Sequence, residues 1–147
     1  MQDSLDFSII EHGSRAYEQA CLLRDEILRK PLGMSLFDED LDAESGFIHV
    51  AGLDDTGATQ AYLYLKPIDD KVVKMKQVVV AAHLQGRGIG RKLITVAEEL
   101  ALKARYREVI LHAREVVMDF YVALGYLKEG DAFIEVSLPH YRFRKEL

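Results

Sequence analysis

The sequence is short of cysteine, of long apolar runs and of net positive charge, and each shortage excludes something. Cys21 is the only cysteine in 147 residues, so no internal disulfide and no multi-thiolate zinc site can form. Between Ala20 and Leu22 it reads as a small buried hydrophobe; the alternative, a catalytic thiol, needs an activating neighbour that the local sequence does not supply. No stretch approaches the roughly 20 apolar residues of a membrane span, and Met1-Gln2-Asp3-Ser4-Leu5-Asp6 lacks the basic start and apolar run of a signal peptide. A soluble, cytoplasmic protein is expected. The net charge of -5, with both signs scattered, argues against non-specific nucleic-acid binding and makes any local basic patch conspicuous. There is no repeat, linker or low-complexity tract, and a 147-residue chain that is 49% hydrophobic can build one core but not two ordinary ones. A single domain over residues 1–147 is expected.

Periodicity supplies the elements. Phe7-Ser8-Ile9-Ile10 reads as a first strand, and Ser14 caps a helix whose apolar face is Ala16, Ala20, Leu23 and Ile27 and which Pro31 stops. Residues 32–45 carry crowded acids and no sustained period. They read as a loop with one helical turn, either a solvated connector or a wall of a substrate pocket. Strands over 47–51, 61–65 and 71–80 then form an antiparallel meander, with Asp54-Asp55-Thr56-Gly57 as one of its turns. A helix over about 90–104 shows Leu93, Ala97, Leu100, Ala101 and Ala104 on one face, and Val109-Ile110-Leu111-His112 is a buried strand. Strand, loop, helix and strand make a βαβ unit, so the strands around that helix should be parallel. Val117, Phe120, Tyr121 and Leu124 stripe a second helix that closes at Gly125. Phe133-Ile134-Glu135-Val136 and Tyr141-Arg142-Phe143-Arg144-Lys145 complete a mixed sheet of the α/β class.

Chemistry concentrates where Val78-Val79-Val80 runs through Ala81-Ala82-His83-Leu84 into Gln85-Gly86-Arg87-Gly88-Ile89-Gly90-Arg91-Lys92. Three glycines between a strand and a helix let the backbone approach a ligand, and the free N–H groups of the helix start point at it. A first helical turn ordinarily prefers acids, yet this one opens with Arg91-Lys92 and has none before Glu98. A bound polyanion resolves that conflict; the bland alternative is a tight turn with solvated basic residues. The phosphate loop G-x-x-x-x-G-K-[ST] does not fit, because no Gly-Lys-Ser/Thr occurs, and a dinucleotide fold would need G-x-G-x-x-G early in the chain rather than G-x-G-x-G late in it.

The spacing that does match is Q/R-x-x-G-x-G/A, filled by Gln85, Gly88 and Gly90. It resembles the acyl-CoA signature of the GNAT N-acetyltransferase superfamily. The resemblance also takes in Asp119-Phe120-Tyr121-Val122-Ala123-Leu124-Gly125-Tyr126, Pro139-His140-Tyr141 and the helix around Leu23-Arg24-Asp25-Glu26-Ile27-Leu28. It implies a mixed, mostly antiparallel sheet whose fourth and fifth strands splay apart to admit acetyl-CoA. Amides of Arg87, Gly88, Gly90 and Arg91, within a segment that includes Gly86 and Ile89, would hold the pyrophosphate, and the backbone of Val78, Val79 and Val80 would pair with the pantetheine arm. Acetyl-CoA is a co-substrate in this picture, no metal is called for, the acceptor is a small amine or peptide amine, and a homodimer is a common assembly of the family.

Acetyl transfer to an amine needs a neutral amine, a donor for the developing oxyanion and a proton for the departing thiolate. By the resemblance, a backbone N–H near Val79 or Val80 serves the oxyanion and Tyr121 is the general acid; periodicity alone allows Tyr121 to be simple core. Candidates for the base are Glu135, His140, Glu115 and His83, with a strand-surface carboxylate and a satisfied turn histidine as the plain readings of the first two. A cradle that binds acyl-CoA without turnover, as a regulatory module, and a nucleotide-binding regulator are the competing functions.

Overall fold

The computed structural model describes residues 4–147; residues 1–3, the start of the segment read above for a signal peptide, lie outside it. Seven strands form one mixed sheet in the order β1-β2-β3-β4-β5-β7-β6. Strands β1 (Asp6–Ile10), β2 (Ile48–Leu53), β3 (Thr59–Pro67) and β4 (Val72–Val80) are antiparallel neighbours, as the meander pattern predicts. Helix α2 (Ile89–Lys103) crosses over to β5 (Glu108–Arg114), which runs parallel to β4. After α3 (Met118–Ala123), strands β6 (Leu127–Glu135) and β7 (Leu138–Glu146) form a hairpin with β7 inserted beside β5. Its two-residue turn holds Val136 and Ser137 at φ 44 and 64, the doubly left-handed geometry that closes a hairpin tightly.

Two helices cover opposite faces of the β2–β4 half. Helix α2 buries Ile89, Leu93, Ile94, Ala97 and Ala101 against Leu63, Leu65, Val73, Met75 and Val109. Helix α1 (Arg15–Arg24), capped by Ser14 as expected, covers Ala51, Tyr62, Tyr64 and Val79. Its buried face is Tyr17, Ala20, Cys21 and Arg24 rather than the purely apolar face that periodicity suggests. Nor does Pro31 stop the helix. The chain widens into a π-turn over Asp25–Arg29, tightens into a 3₁₀ turn over Lys30–Leu32 that contains Pro31, and ends at Gly33 with φ 72. Proline in the first turn of a new helical segment loses no hydrogen bond, so the register change accommodates it. Residues 32–45 hold two further 3₁₀ turns, Leu36–Asp38 and Leu41–Glu44, pinned by a fully buried Leu36 whose amide donates to Asp25. No helix among the described residues is long and apolar enough to cross a membrane.

The sheet is split at its centre by a bulge. Tyr62 opposes Val79 and Tyr64 opposes Lys76, so Gln77 and Val78 together face Leu63, and Gln77 takes φ 61. Alternation slips at that point. Val73 and Met75 lie under α2, whereas Val79 belongs to the core under α1. The parallel pairing of β4 with β5 ends at Lys74 opposite Ile110, just before the bulge, and beyond it the two strands separate.

A buried ion pair ties the bulge to its surroundings. Arg24, 1% exposed, donates from both terminal nitrogens to Glu44 at 2.8 and 2.7 Å and from Nε to the Gln77 side-chain oxygen at 3.3 Å. Its guanidinium lies over the rings of Tyr62 and Tyr64 at 5.5 and 5.6 Å, and the Tyr17 hydroxyl donates to Glu44. Burial by itself would raise the Glu44 carboxyl, but the hydrogen bonds from Arg24 and Tyr17 outweigh it and hold the group below its ordinary 4.5. Glu44→Gln leaves the guanidinium buried without its counter-charge and is expected to destabilise the fold by about 3–5 kcal/mol. A native carboxyl depressed below its unfolded value contributes stability above that value and loses it on acidification. The gap between wild type and Glu44→Gln in urea unfolding should therefore be full above about pH 4.5 and shrink as the pH falls below it.

Candidate active site

The segment from β4 to α2 is built to leave backbone donors open. A 3₁₀ turn over Ala82–Leu84 anchors Leu84 in the core, and the Gln85 side-chain amide donates to the Val80 carbonyl at 3.0 Å, closing the loop onto the strand end. Gly86 and Gly88 sit at φ 79 and 81, and a Cβ at either would meet nothing within 4 Å. That combination calls for glycine by conformation and leaves open space above the backbone. Gly88 is the N-cap of α2, yet no side chain caps the helix and its first turn contains no acid. Ile89 is buried, so only its backbone faces the loop, while the side chains of Arg87 and Arg91 lie at the surface. A cradle with uncapped amides, room above two glycines and basic flanks fits a pyrophosphate.

Where β4 and β5 part, a cleft of about 640 Å³ opens beside this cradle. Val78, Val79, Val80, Gly90 and Phe120 line one region of it, Tyr121 reaches it, and Lys74, Lys76, His112, Glu135 and His140 line another. At Gly90 a Cβ would stand 3.6 Å from the Phe120 ring and 3.8 Å from Val80. The apolar stripe of the α3 region is therefore not simply core. Val117 and Phe120 are 43% and 39% exposed and border the cleft, and only Tyr121 of the four stripe residues is buried.

The Tyr121 hydroxyl makes no hydrogen bond within the described residues, and burial pushes its pKa up to about 12. Its ring is held edge-on between Phe120 and Tyr126, whose own hydroxyl donates to Glu98. Across the cleft, β5, β6 and β7 bring three titratable groups together through their register. Glu135 Oε1 lies 3.1 Å from His112 Nδ1, and Glu135 Oε2 lies 3.6 Å from His140 Nε2. The His140 Nδ1–H donates to the Leu138 carbonyl at 2.9 Å, since a carbonyl can only accept. Its Nε2 is then the atom on which a second proton would form an ion pair with Glu135. For His112, burial outweighs the support of Glu135 and lowers the pKa, so the ring is neutral at neutral pH. Burial works against the Glu135 charge, but the hydrogen bond to His112 prevails and lowers its pKa.

A family model for the GNAT acetyltransferases matches residues 14–126. The chain belongs to the GNAT family. A UPF0039 protein of Schizosaccharomyces pombe is 29% identical over 111 residues, 74% of this chain and 73% of that protein. Among solved structures, an acyl-CoA N-acyltransferase from Pseudomonas aeruginosa superposes with a TM-score of 0.82 at 23% identity, covering 97% of this chain and 99% of that one. Escherichia coli ElaA gives 0.81 at 23% identity with the same coverage. An aminoglycoside 6'-N-acetyltransferase solved with coenzyme A gives 0.81 at 15% identity over 96% of both chains. These likenesses establish the fold: a seven-stranded mixed GNAT sheet flanked by helices, as the sequence resemblance implies.

Within this GNAT fold the sequence candidates separate. Val78, Val79, Val80, Gly90, Tyr121, Glu135 and His140 line one cleft, whereas Glu115 and His83 are exposed and do not border it. Gln85 braces the loop through its side chain. Cys21 is buried beside Arg24, and burial raises its pKa, as befits a hydrophobe rather than a nucleophile. Of the acids of residues 32–45, Glu44 is consumed by Arg24, and Glu39, which lines the cleft, is held by Arg29 at 2.6 and 3.2 Å. His112 and Lys74 were not singled out by the sequence. Both sit in ordinary strand runs, and only the splay of β4 from β5 exposes them to the cleft. Because Glu135 supports the His112 charge, Glu135→Gln should move the His112 titration midpoint further down from the ordinary 6.5. Histidine ring signals followed by NMR against pH would show it, and an upward move would contradict the pairing.

Proposed function

We propose that this protein transfers an acetyl group from acetyl-CoA to a primary amine by direct attack in a ternary complex. The observation that carries the reading is a cleft that begins at Gly90, next to a cradle of uncapped amides and open glycines, and that holds a Glu135–His112–His140 cluster on its wall. When bound, acetyl-CoA supplies an activated thioester. The amides from Arg87 to Arg91 hold the pyrophosphate, and the backbone of Val78, Val79 and Val80 pairs with the pantetheine arm and offers an N–H to the oxyanion. The amine nitrogen bonds to the acetyl carbon, the carbon–sulfur bond breaks, and two protons must be managed.

Tyr121 faces the departing sulfur in this reading. With its pKa near 12 against roughly 8.5 for a thiol, complete proton transfer is uphill, so the hydroxyl stabilises the thiolate as a hydrogen-bond donor. The proton released by the amine passes to the histidine pair, of which His112 is neutral before the reaction. Glu135 orients His112 through Nδ1 and balances the charge that His140 acquires at Nε2, as a carboxylate does beside a catalytic imidazole.

Isothermal titration with acetyl-CoA, followed by amines with thiol release monitored, tests the reading. Saturable binding with release supports an acetyltransferase; binding without release for every amine leaves an acyl-CoA-binding module, and no binding removes the cradle. Tyr121→Phe keeps the ring and loses the donor. It should leave acetyl-CoA affinity within about twofold while turnover falls roughly 10²-fold, the effect of losing one aimed donor. Unchanged turnover would remove Tyr121 from the chemistry.

A further inference from the structure

The acceptor side of the cleft is more cationic than its amine chemistry requires. Lys74 occupies the last paired rung between β4 and β5, and Lys76 follows two residues later on the same stretch of β4; both line the cleft. The carboxylates that also line it are already engaged, Glu39 by Arg29 and Glu135 by His112. Among the described residues no carboxylate lies within ion-pair distance of either lysine.

The one polar contact of Lys74 is with His112 Nδ1 at 3.3 Å, and that nitrogen is contested. It lies 3.1 Å from the Glu135 carboxylate, which can only accept, so the ring hydrogen belongs on Nδ1. A nitrogen that donates to Glu135 offers no lone pair to an ammonium. Lys74 is therefore left without an acceptor, close to the like charges of Lys76, Lys66 and Arg142, with Glu135 the opposing charge. Half-buried cations whose one nearby carboxylate is already bonded to His112, in a protein with 24 acids against 19 bases, ask for an anion from outside the chain.

Resting on the acetyltransferase reading, we infer that the acceptor is an amine that also carries an anionic group, most simply a carboxylate. Its anion seats on Lys74 and Lys76 while its amine meets the Glu135–His112–His140 cluster. The cleft then complements both ends of a zwitterion, and a diamine or polyamine would set its second cation against two lysines.

Titration of the protein saturated with coenzyme A tests this independently of turnover. The probes are glycine, 4-aminobutyrate and 6-aminohexanoate, the amides of the same three acids, and the diamine cadaverine. At least one amino acid should bind tenfold or more tightly than its amide and than cadaverine, with the preferred length reporting the span from lysines to base, and the preference should weaken as salt rises. Lys76→Gln and Lys74→Gln should each reduce the preference, and Lys76→Glu should turn it toward cadaverine; acetyl-CoA affinity and melting temperature should stay unchanged for Lys76→Gln. Equal or tighter binding of the amides or cadaverine, no binding of any amino acid, or an unaltered preference in Lys76→Glu overturns the inference. Thiol release measured on the same panel separates the two readings. Release that does not distinguish acids from amides keeps the acetyltransferase and discards the anion subsite, whereas selective binding without release keeps the subsite and discards the transfer.

Discussion

Gln77 is a non-glycine residue held at positive φ in the middle of a sheet, a conformation that costs energy unless its neighbours enforce it. Its side-chain oxygen accepts from Arg24 at 3.3 Å and from Arg29 at 3.1 Å, and each arginine is itself locked onto a glutamate from residues 32–45. The bulge, helix α1 and the acidic loop are thus one hydrogen-bonded unit. Without the extra residue, β4 would keep its alternation and Val79 would lie on the α2 side with Val73 and Met75. With it, the strand changes face, and pairing with β5 extends only from Val72 to Lys74. The cleft is the space left by the pairing that does not form.

This explains a polar choice in an otherwise apolar core. A buried arginine is expensive and is tolerated when every donor has a partner. Arg24 has two bonds to Glu44, one to Gln77 and two aromatic faces, and the surrounding atoms are equally satisfied: the His49 Nε2–H donates to the Glu44 carbonyl at 2.9 Å, and the Tyr62 hydroxyl donates to His49 Nδ1 at 2.7 Å. Among the described residues no buried side-chain nitrogen or oxygen lacks a partner. An apolar cluster would fill the same volume, but it would not discriminate one backbone register of β4 from another as a directional guanidinium does.

Much of this was legible in the sequence, and the reasons for the exceptions are local. The meander, the parallel crossover and the glycine cradle announce themselves through short-range signals: alternation, the 3.6-residue period, and glycines between a strand and an uncapped basic helix start. The buried face of α1 departs from its apolar period because Arg24 counts as polar in any periodicity, although long-range partners at positions 44 and 77 bury it. The bulge at Gln77 carries no glycine or proline to betray it. The stripe through Val117, Phe120 and Tyr121 has the period of a core helix, but a residue bordering a cleft and one bordering a core obey the same spacing. Glu135 and His140 were reachable through the family resemblance; their meeting with His112 depends on β7 lying between β5 and β6, a strand order that no local pattern encodes.

The pairing of charges divides the molecule by purpose. Cations that hold the fold have carboxylate partners: Arg24 with Glu44, Arg29 with Glu39, Lys145 with Glu98, Arg144 with Glu108. Lys74 and Lys76, which line the cleft, have none among the described residues. Arg91 and Lys92 stand at a helix start whose dipole already disfavours them, and Lys74 and Lys76 stand where β4 leaves β5. Solvent tolerates an unpaired surface lysine at little cost, so neither pair alone is telling. Their placement is: Lys74 and Lys76 line the cleft, Arg91 and Lys92 flank the glycine loop beside it, and the carboxylates that line the cleft, Glu39 and Glu135, are engaged by Arg29 and His112. In the reading proposed here, the cations of the helix start meet the phosphates of the acyl donor and Lys74 and Lys76 meet the charge of the acceptor, and between them Tyr121 and the two histidines, with the Glu135 carboxylate as their counter-charge, stand where bonds are exchanged.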